Sequence, residues 1–319
     1  MAGANRLYWP RRGSMQIWPR VRARKIAPRV RHWVKKDAAS LLGFVGYKIG
    51  MTHVLCRDTN PHSPTKGQNI FTPVTIVACH HITPVSLRFY KKTVDGMKLV
   101  GEIFSDKVDK KYLKPGKSTE PQDFDIVKLV VQTHPKALKM GTKTPRLSEL
   151  GISGSKKEEA VNFGKEILQR DIKISDVFKE GQMIDIHAVS KGKGFQGTVK
   201  RFGVKIRQHK SEKTKRGVGS LGPWRPRHVL FTVGQPGKMG FHTRAEYNKQ
   251  ILKIGSKPEE INPQGGFVKY GLVTTEYILL KGSITGARRR PIVLTEPIRP
   301  PLTKIHMPEI TYVNVNSQQ

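Results

Sequence analysis

Cations, glycines and aromatic rings alternate through one stretch of this sequence, SKGKGFQGTVKRFGVKIRQHKSEKTKRGVGSLGPWRPRHVLFTVGQPGKMGFHTR, from Ser190 to Arg244. Between Ile186 and Ala245 fourteen Lys and Arg stand against one acid, Glu212, with ten glycines and few large aliphatic side chains. The chemistry such a composition can do is neutralisation of a polyanion. Lys191, Lys193, Lys200, Arg201, Lys205, Arg207, Lys210, Lys213, Lys215 and Arg216 would replace counterions between close-packed phosphates. Arg225, Arg227, Lys238 and Arg244 extend the set, with His209 and His228 among them. Phe195, Phe202, Trp224, Phe231 and Phe241 offer faces on which bases can stack, and the glycines let the backbone run close to phosphates. Folded RNA suits these residues better than duplex DNA, because no helix long enough for a major groove can be drawn through so many Gly and Pro. A segment so charged and so poor in core residues is expected to stay extended and mobile until a polyanion orders it.

Other chemistries fit the same residues less well. Gly192-Lys193-Gly194-Phe195-Gln196-Gly197 spells the glycine pattern of a dinucleotide loop, after a strand expected at Met183–Val189. That site needs a helix next and an acid about twenty residues on. Thr198, Val199 and Phe202 read instead as strand, and no such acid is there. Catalysis calls for a nucleophile with a base, paired acids or a metal cluster, and the stretch richest in unusual residues holds one carboxylate, so no catalytic residue, metal ligand or cofactor is implied. Cys56 and Cys79 read as reduced thiols, and His80-His81 lacks zinc-ligand spacing. No apolar run approaches the roughly 20 residues of a membrane span and the N-terminus lacks a secretory apolar core, so a soluble intracellular protein is expected, with no membrane partner and no small-molecule substrate.

KGKGFQGTVKRFG, the GSLGPWRPRH segment and the returning GQPGKMGFHTR resemble the universal large-subunit ribosomal protein L-three family in its archaeal and eukaryotic form. The agreement is a long string of irregular residues in order. It implies a two-limbed finger that reaches into large-subunit rRNA, with Trp224 at a tip near the peptidyl transferase centre. Read from the residues alone, Trp224 sits where glycines and prolines force a reversal, and it either stacks outward or packs on its own limb beside Val229 or Phe231.

Charge is distributed unevenly along the 319 residues. Of the net +34, residues 1–36 carry +11 and residues 186–245 carry +13, so 96 residues hold +24. Only 37% of the chain is hydrophobic, which leaves part of it outside any core. The N-terminal arm has eleven basic residues and no acid; Pro10, Pro19 and Pro28 break any long helix, while Tyr8, Trp9, Trp18 and Trp33 lie among the arginines. Arg11, Arg12, Arg20, Arg22, Arg24 and Lys25 are its candidate RNA contacts. RRGSMQIWPRVRARK resembles the family's N-terminal extension.

Two folded regions must position these arms. Leu42–Val54, Thr72–Cys79 and Pro84–Lys92 read as strands, with a loop at Asn60–Pro64. GFVGYKIGMTHV resembles the segment that opens the family's β-barrel, a barrel like that of translation elongation factors. Between Leu99 and Glu180 a strand at Phe124–Gln132, a helix from Ser155 to Arg170 with Glu158 and Glu159 in its first turn, and a short element at Ile174–Phe178 describe a mixed α/β insertion that faces either protein or rRNA. Strand character returns at Ile251–Ile254, Gly271–Gly282 and Pro291–Leu294, after turns at Glu259–Gly266 and a basic loop at Ser283–Arg290. Arg288, Arg289 and Arg290 are either phosphate contacts, as the resemblance implies, or solvated charges.

The expected fold is mainly β: an elongation-factor-like β-barrel with a mixed α/β insertion, a long irregular two-limbed extension and a basic N-terminal tail. Its expected bounds are 1–38 for the tail, 39–98 with 181–200 and 246–319 for the barrel, 99–180 for the insertion and 201–245 for the finger. The function expected is that of a structural, non-enzymatic constituent of the cytoplasmic large ribosomal subunit that binds its rRNA and aids its assembly. Neighbouring proteins of the L-fourteen and eukaryotic-type L-twenty-four families follow from the resemblance. The alternative is a sequence-specific DNA- or mRNA-binding regulator, although no helix-turn-helix, zinc-finger or RNA-recognition pattern is present.

Overall fold

The apolar run punctuated by glycines near residue 43 becomes the longest strand of a structure built mainly of β-sheet. The computed structural model describes residues 13–106, 116–142, 144–211, 213–303 and 305–317. In chain order the strands are β1 (Ser40–Leu41), β2 (Gly43–Arg57), β3 (Asn69–Ala78), β4 (Thr83–Thr93), β5 (Gly96–Phe104), β6 (Ile126–Gln132) and β7 (Leu147–Ser153). Helix α1 (Lys157–Ile167) and a short turn at Ile174–Asp176 lead to β8 (Met183–Val189), β9 (Gly192–Gln196), helix α2 (Thr198–Phe202), β10 (Gly237–Gly240) and β11 (Thr243–Gly255). The chain ends in β12 (Tyr277–Lys281), β13 (Pro291–Thr295) and β14 (Glu309–Val313). It divides into two units, residues 13–24 with Ser190–Thr243, and Lys25–Val189 with residues 244–317.

In the larger unit one ladder runs β13-β8-β11-β12-β3-β2 and returns on itself, because β13 also pairs with β2. The fifteen residues of β2 make this possible. Gly43–Tyr47 pair with β13, Val54–Arg57 pair with β14, and β3 runs along the other edge. The six strands close on one another, and β14 is appended to β2 beyond the part that pairs with β13. β12 is buried on both faces. Ile278 and Leu280 of β12 enter one core with Val77, Ile186, Ile292 and Leu294, while Tyr277 and Leu279 enter another with Ile49, Ile76 and Leu252. That is why YILL reads as an unbroken apolar run rather than an alternation.

A second sheet, ordered β1-β7-β6-β4-β5, places α1 on one face. Gly164 allows the close approach: a Cβ there would lie 2.7 Å from Leu87. The opposite face carries charge. Arg88 donates to Glu102 and Glu149 at 2.9 Å each, and Tyr90 donates to the same Glu149 oxygen at 2.9 Å. Lys128, 2% exposed, has its Nζ 3.9 Å from the other Glu149 oxygen and 4.8 Å from the centre of the Tyr90 ring. Burial pushes the Lys128 ammonium below its ordinary pKa, and Glu149 opposes that shift. Trp33 packs against Gly151 and Gly43, where a Cβ would fall 2.6 and 3.0 Å from its ring atoms.

Several sequence expectations need correction. Val30 is buried in the core, Trp33 packs as described, and Lys36 pairs with Glu296 at 2.9 Å, so residues 25–36 are part of the folded body and not a free tail. The second sheet begins with β1 and β4, well before residue 99. Helix α1 starts at Lys157 behind Lys156, without a side-chain cap, and Ser155 lies before it, its amide donating to the Asp37 carbonyl at 2.9 Å. Within Gly271–Gly282 only Tyr277–Lys281 is strand, since Asn262 holds both the amide and the carbonyl of Val273 at 2.9 Å. β14 follows β13 and has no counterpart in the sequence reading. Cys56 and Cys79 are free and buried, and burial raises both thiols. No helix among the described residues is long and apolar enough to cross a membrane.

The charged face of the second sheet generates a pair of opposed outcomes. Lys128→Met is expected to change stability by less than about 1 kcal/mol, whereas Glu149→Leu, which strands the buried ammonium, is expected to cost about 2–4 kcal/mol. Urea unfolding of both variants checks this; equal losses would contradict it.

Candidate nucleic-acid interface

The cation-rich segment solves its shortage of apolar residues by cross-limb contacts near its base. β9 and β10 pair antiparallel, with Phe195 opposite Lys238 and Gly192 opposite Gly240. Gly240 has a φ of +76°, and a Cβ there would lie 2.1 Å from the Lys191 carbonyl oxygen, so this crossing admits only glycine. Arg201 then bridges the limbs, donating to the carbonyls of Gln235 at 2.7 Å and Lys238 at 3.2 Å.

The N-terminal arm completes the base. The Ala23 amide donates to the Phe241 carbonyl at 2.8 Å, and His242 Nδ1 lies 2.8 Å from the Val21 carbonyl oxygen. Arg20 stacks over the Phe202 ring at 4.3 Å, Arg22 lies 5.2 Å from the centre of the Phe241 ring, and Trp18 and Phe231 are 5.7 Å apart. Residues 13–24 are thus packed along the base rather than loose, contrary to the expectation of an extended arm. Phe202 is also lost as a base platform: it is 4% exposed, between Arg20 and Arg201.

The strand reading of Thr198–Phe202 is wrong as well. These residues form α2, bracketed by extended Gly197 and by Gly203 at φ 67°, with Thr198 and Phe202 buried four apart on one face. One turn of helix does not revive the dinucleotide reading, because Gly192–Gln196 lies in the β9/β10 pair and no acid follows at the required spacing.

Beyond the base, side chains face solvent. Lys191, Lys193 and Lys200 are exposed, as are Lys205, Arg207, His209, Lys210, Lys213, Lys215 and Arg216. The turn they occupy is closed by the Arg207 amide on the Lys215 carbonyl at 3.0 Å and by Thr198 Oγ1 on the Arg216 carbonyl at 3.4 Å. Every residue from Gly219 to Phe231 is exposed, including Arg225, Arg227 and His228, and Trp224 is 82% exposed. Val229 and Phe231 do not cover it. Phe195 is 72% exposed between Lys193 and the cross-strand Lys238.

The remaining candidates separate. Arg11 and Arg12 lie outside the described residues. Arg24 and Lys25 are exposed, and Arg244 is partly buried at the start of β11. Arg288 donates to the Val268 carbonyl and Arg289 to the Tyr270 carbonyl at 3.1 Å, so these two guanidinium groups tie a loop to the closed ladder. Arg288 is partly buried and Arg289 exposed, so the carbonyl bond of Arg289 leaves its charge open to solvent. Sequence reasoning passed over Trp18, Gly240 and His242 as structural residues of the base, and only the glycine preference at a close crossing could have marked one of them.

Among the described residues a mainly β unit is thus joined in sequence to a cation-dense unit with almost no core. The chain belongs to the ribosomal protein L3 family, whose model matches residues 3–120 and 117–319. It is 41% identical over 334 residues to the large ribosomal subunit protein uL3 of Methanobrevibacter smithii, covering 98% of this chain and 99% of that protein. It is likewise 41% identical over 326 residues to the uL3 of Methanocaldococcus jannaschii, covering 97% of each.

The crossing at Gly240 supplies the test of the base. Gly240→Ala is expected to separate β10 from Lys191 at a local cost of about 1–3 kcal/mol and to raise the rate of trypsin cleavage after Arg201 and Lys238 severalfold. Unchanged cleavage would show that the crossing does not hold the limbs.

Proposed function

We propose that this protein is a structural, non-enzymatic constituent of the large ribosomal subunit that binds large-subunit rRNA through its cation-dense unit and aids the assembly of that RNA. The observation that carries the reading is the division of labour among cations. Arg20 and Arg201 are held on protein groups at the base, whereas Lys205, Arg207, Lys210, Lys213, Lys215 and Arg216 present their charge to solvent with no carboxylate beside them apart from Glu212 in the sequence. Such an array is stabilised when phosphates replace its mutual repulsion. In this reading the limbs lie between rRNA helices and Trp224 reaches toward the peptidyl transferase centre, as the family resemblance implies. The closed ladder is read as the elongation-factor-like barrel, in a cytoplasmic subunit where L-fourteen and eukaryotic-type L-twenty-four proteins are neighbours. The regulator reading gains nothing: α1, the longer of the two described α-helices, has Glu158 and Glu159 in its first turn and buries Ala160, Val161, Gly164 and Ile167.

Co-sedimentation of the native protein with large subunits through high salt tests the proposal; recovery in a free or DNA-bound fraction would overturn it. For the isolated protein on an rRNA fragment, contact with about eight phosphates predicts a log–log salt slope of about −6 to −7, flattened by deletion of residues 205–240. An unchanged slope would move the affinity to other residues. Trp224→Ala is expected to remove about 1–3 kcal/mol of local stacking, leaving subunit assembly intact while altering aminoacyl-tRNA accommodation or peptidyl transfer. Purified variant subunits with unchanged tRNA affinity and peptide-bond rates would sink the role assigned to the tip.

A further inference from the structure

In a chain with 58 Lys and Arg, one sheet face is almost free of them. Where β14 joins β2 and β3, Tyr312 is the Cα partner of Leu55 and Leu55 is the partner of Phe71, which places three apolar side chains side by side across three strands. Their sequence neighbours Val54, Cys56 and Thr72 point the other way and are buried, with Val313 packed on the core. Phe71 is 59% and Tyr312 46% exposed, and the His53 ring covers one side of Phe71 at a centroid distance of 4.3 Å. The only Lys or Arg in β2 beyond Lys48, in β3 or in β14 is Arg57, and its Cα partner on β14 is the acid Glu309.

We propose that this face is the docking surface for another folded protein, a neighbour in the large subunit that presents apolar side chains to Leu55, Phe71 and Tyr312. The inference rests on the large-subunit reading above and adds the surface and the class of partner. Charge decides against RNA. An RNA base platform needs cations beside its rings to meet the phosphates, as the limbs supply around Phe195, and here the single Arg57 is offset by Glu309. Aromatic and Arg residues without Lys are instead the composition of a protein–protein interface core. Among the described strands, β14 ends the sheet, so unpaired backbone groups along its outer edge border the same apolar face.

Benzoylphenylalanine placed at position 71, and separately at position 312, tests this in cells that assemble the full chain into ribosomes. Large subunits are isolated by sedimentation in high salt, irradiated and digested with ribonuclease, and the adducts are identified by mass spectrometry. Expected from both positions is one polypeptide partner whose adduct survives ribonuclease. An adduct reduced to a nucleotide remnant, an adduct to a second copy of this chain, or no polypeptide adduct from either position overturns the proposal. Absence of the unirradiated chain from the subunit fraction would be a failure of the large-subunit reading itself, and would take the inference with it. Phe71→Glu, at an exposed position, is expected to lower the occupancy of that partner in purified subunits at least threefold while rRNA-fragment affinity stays within twofold; unchanged occupancy counts against the proposal.

Discussion

Like-charge repulsion in a segment with almost no core is the constraint on which the smaller unit depends. Sixty residues from Ile186 carry thirteen net positive charges, and hydrophobic burial cannot hold them together. What does hold the base is a set of cation contacts with partial negative charge. Guanidinium groups lie on backbone carbonyls and over ring faces, as Arg201 does with Gln235 and Lys238 and as Arg20 does with Phe202. Each such contact fixes the chain and uses a cation that phosphate would otherwise claim. A protein built this way divides its cations between holding itself and facing solvent, and the proposed rRNA contact would draw on the second set.

The same device recurs in the body. Arg288 and Arg289 reach loop carbonyls, and Lys48 Nζ donates to the Ile284 carbonyl at 2.5 Å. There the closed ladder supplies a conventional two-faced core, so these cations adjust loops rather than replace packing. The second sheet goes further and buries Lys128 against Glu149 and Tyr90, an arrangement that specifies geometry more than it adds stability.

How much of this could be read from the sequence depended on whether a signal was local. Met183–Val189 and Thr72–Cys79 carry β-branched alternation between turn residues, and both became strands at nearly those bounds. Thr198–Phe202 misled because Thr, Val and Phe favour strands, while the flanking Gly197 and Gly203 and the spacing of two buried side chains decided for a helical turn. β14 is short and half exposed, so its alternation is faint. Trp33 was read among arginines as part of a binding tail, since nothing local announces the glycines at 43 and 151 against which it packs. The cation-dense unit was legible as composition. Which of its cations face carbonyls and which face solvent was not, because Arg201 and Arg207 are the same residue type in the same kind of sequence, separated only by what the fold brings near them.

Amide hydrogen exchange on the free full chain and on the chain within purified large subunits tests whether the base is built by the protein alone and the outer limbs are ordered, as proposed, by rRNA. Slow exchange is expected in the free chain for the Ala23 and Phe241 amides and for the β9/β10 pair, with fast exchange from Gly219 to Phe231 and protection of that outer stretch only in the subunit. Uniformly fast exchange from Ser190 to Thr243 in the free chain, or an outer stretch that exchanges equally fast in both states, would contradict it.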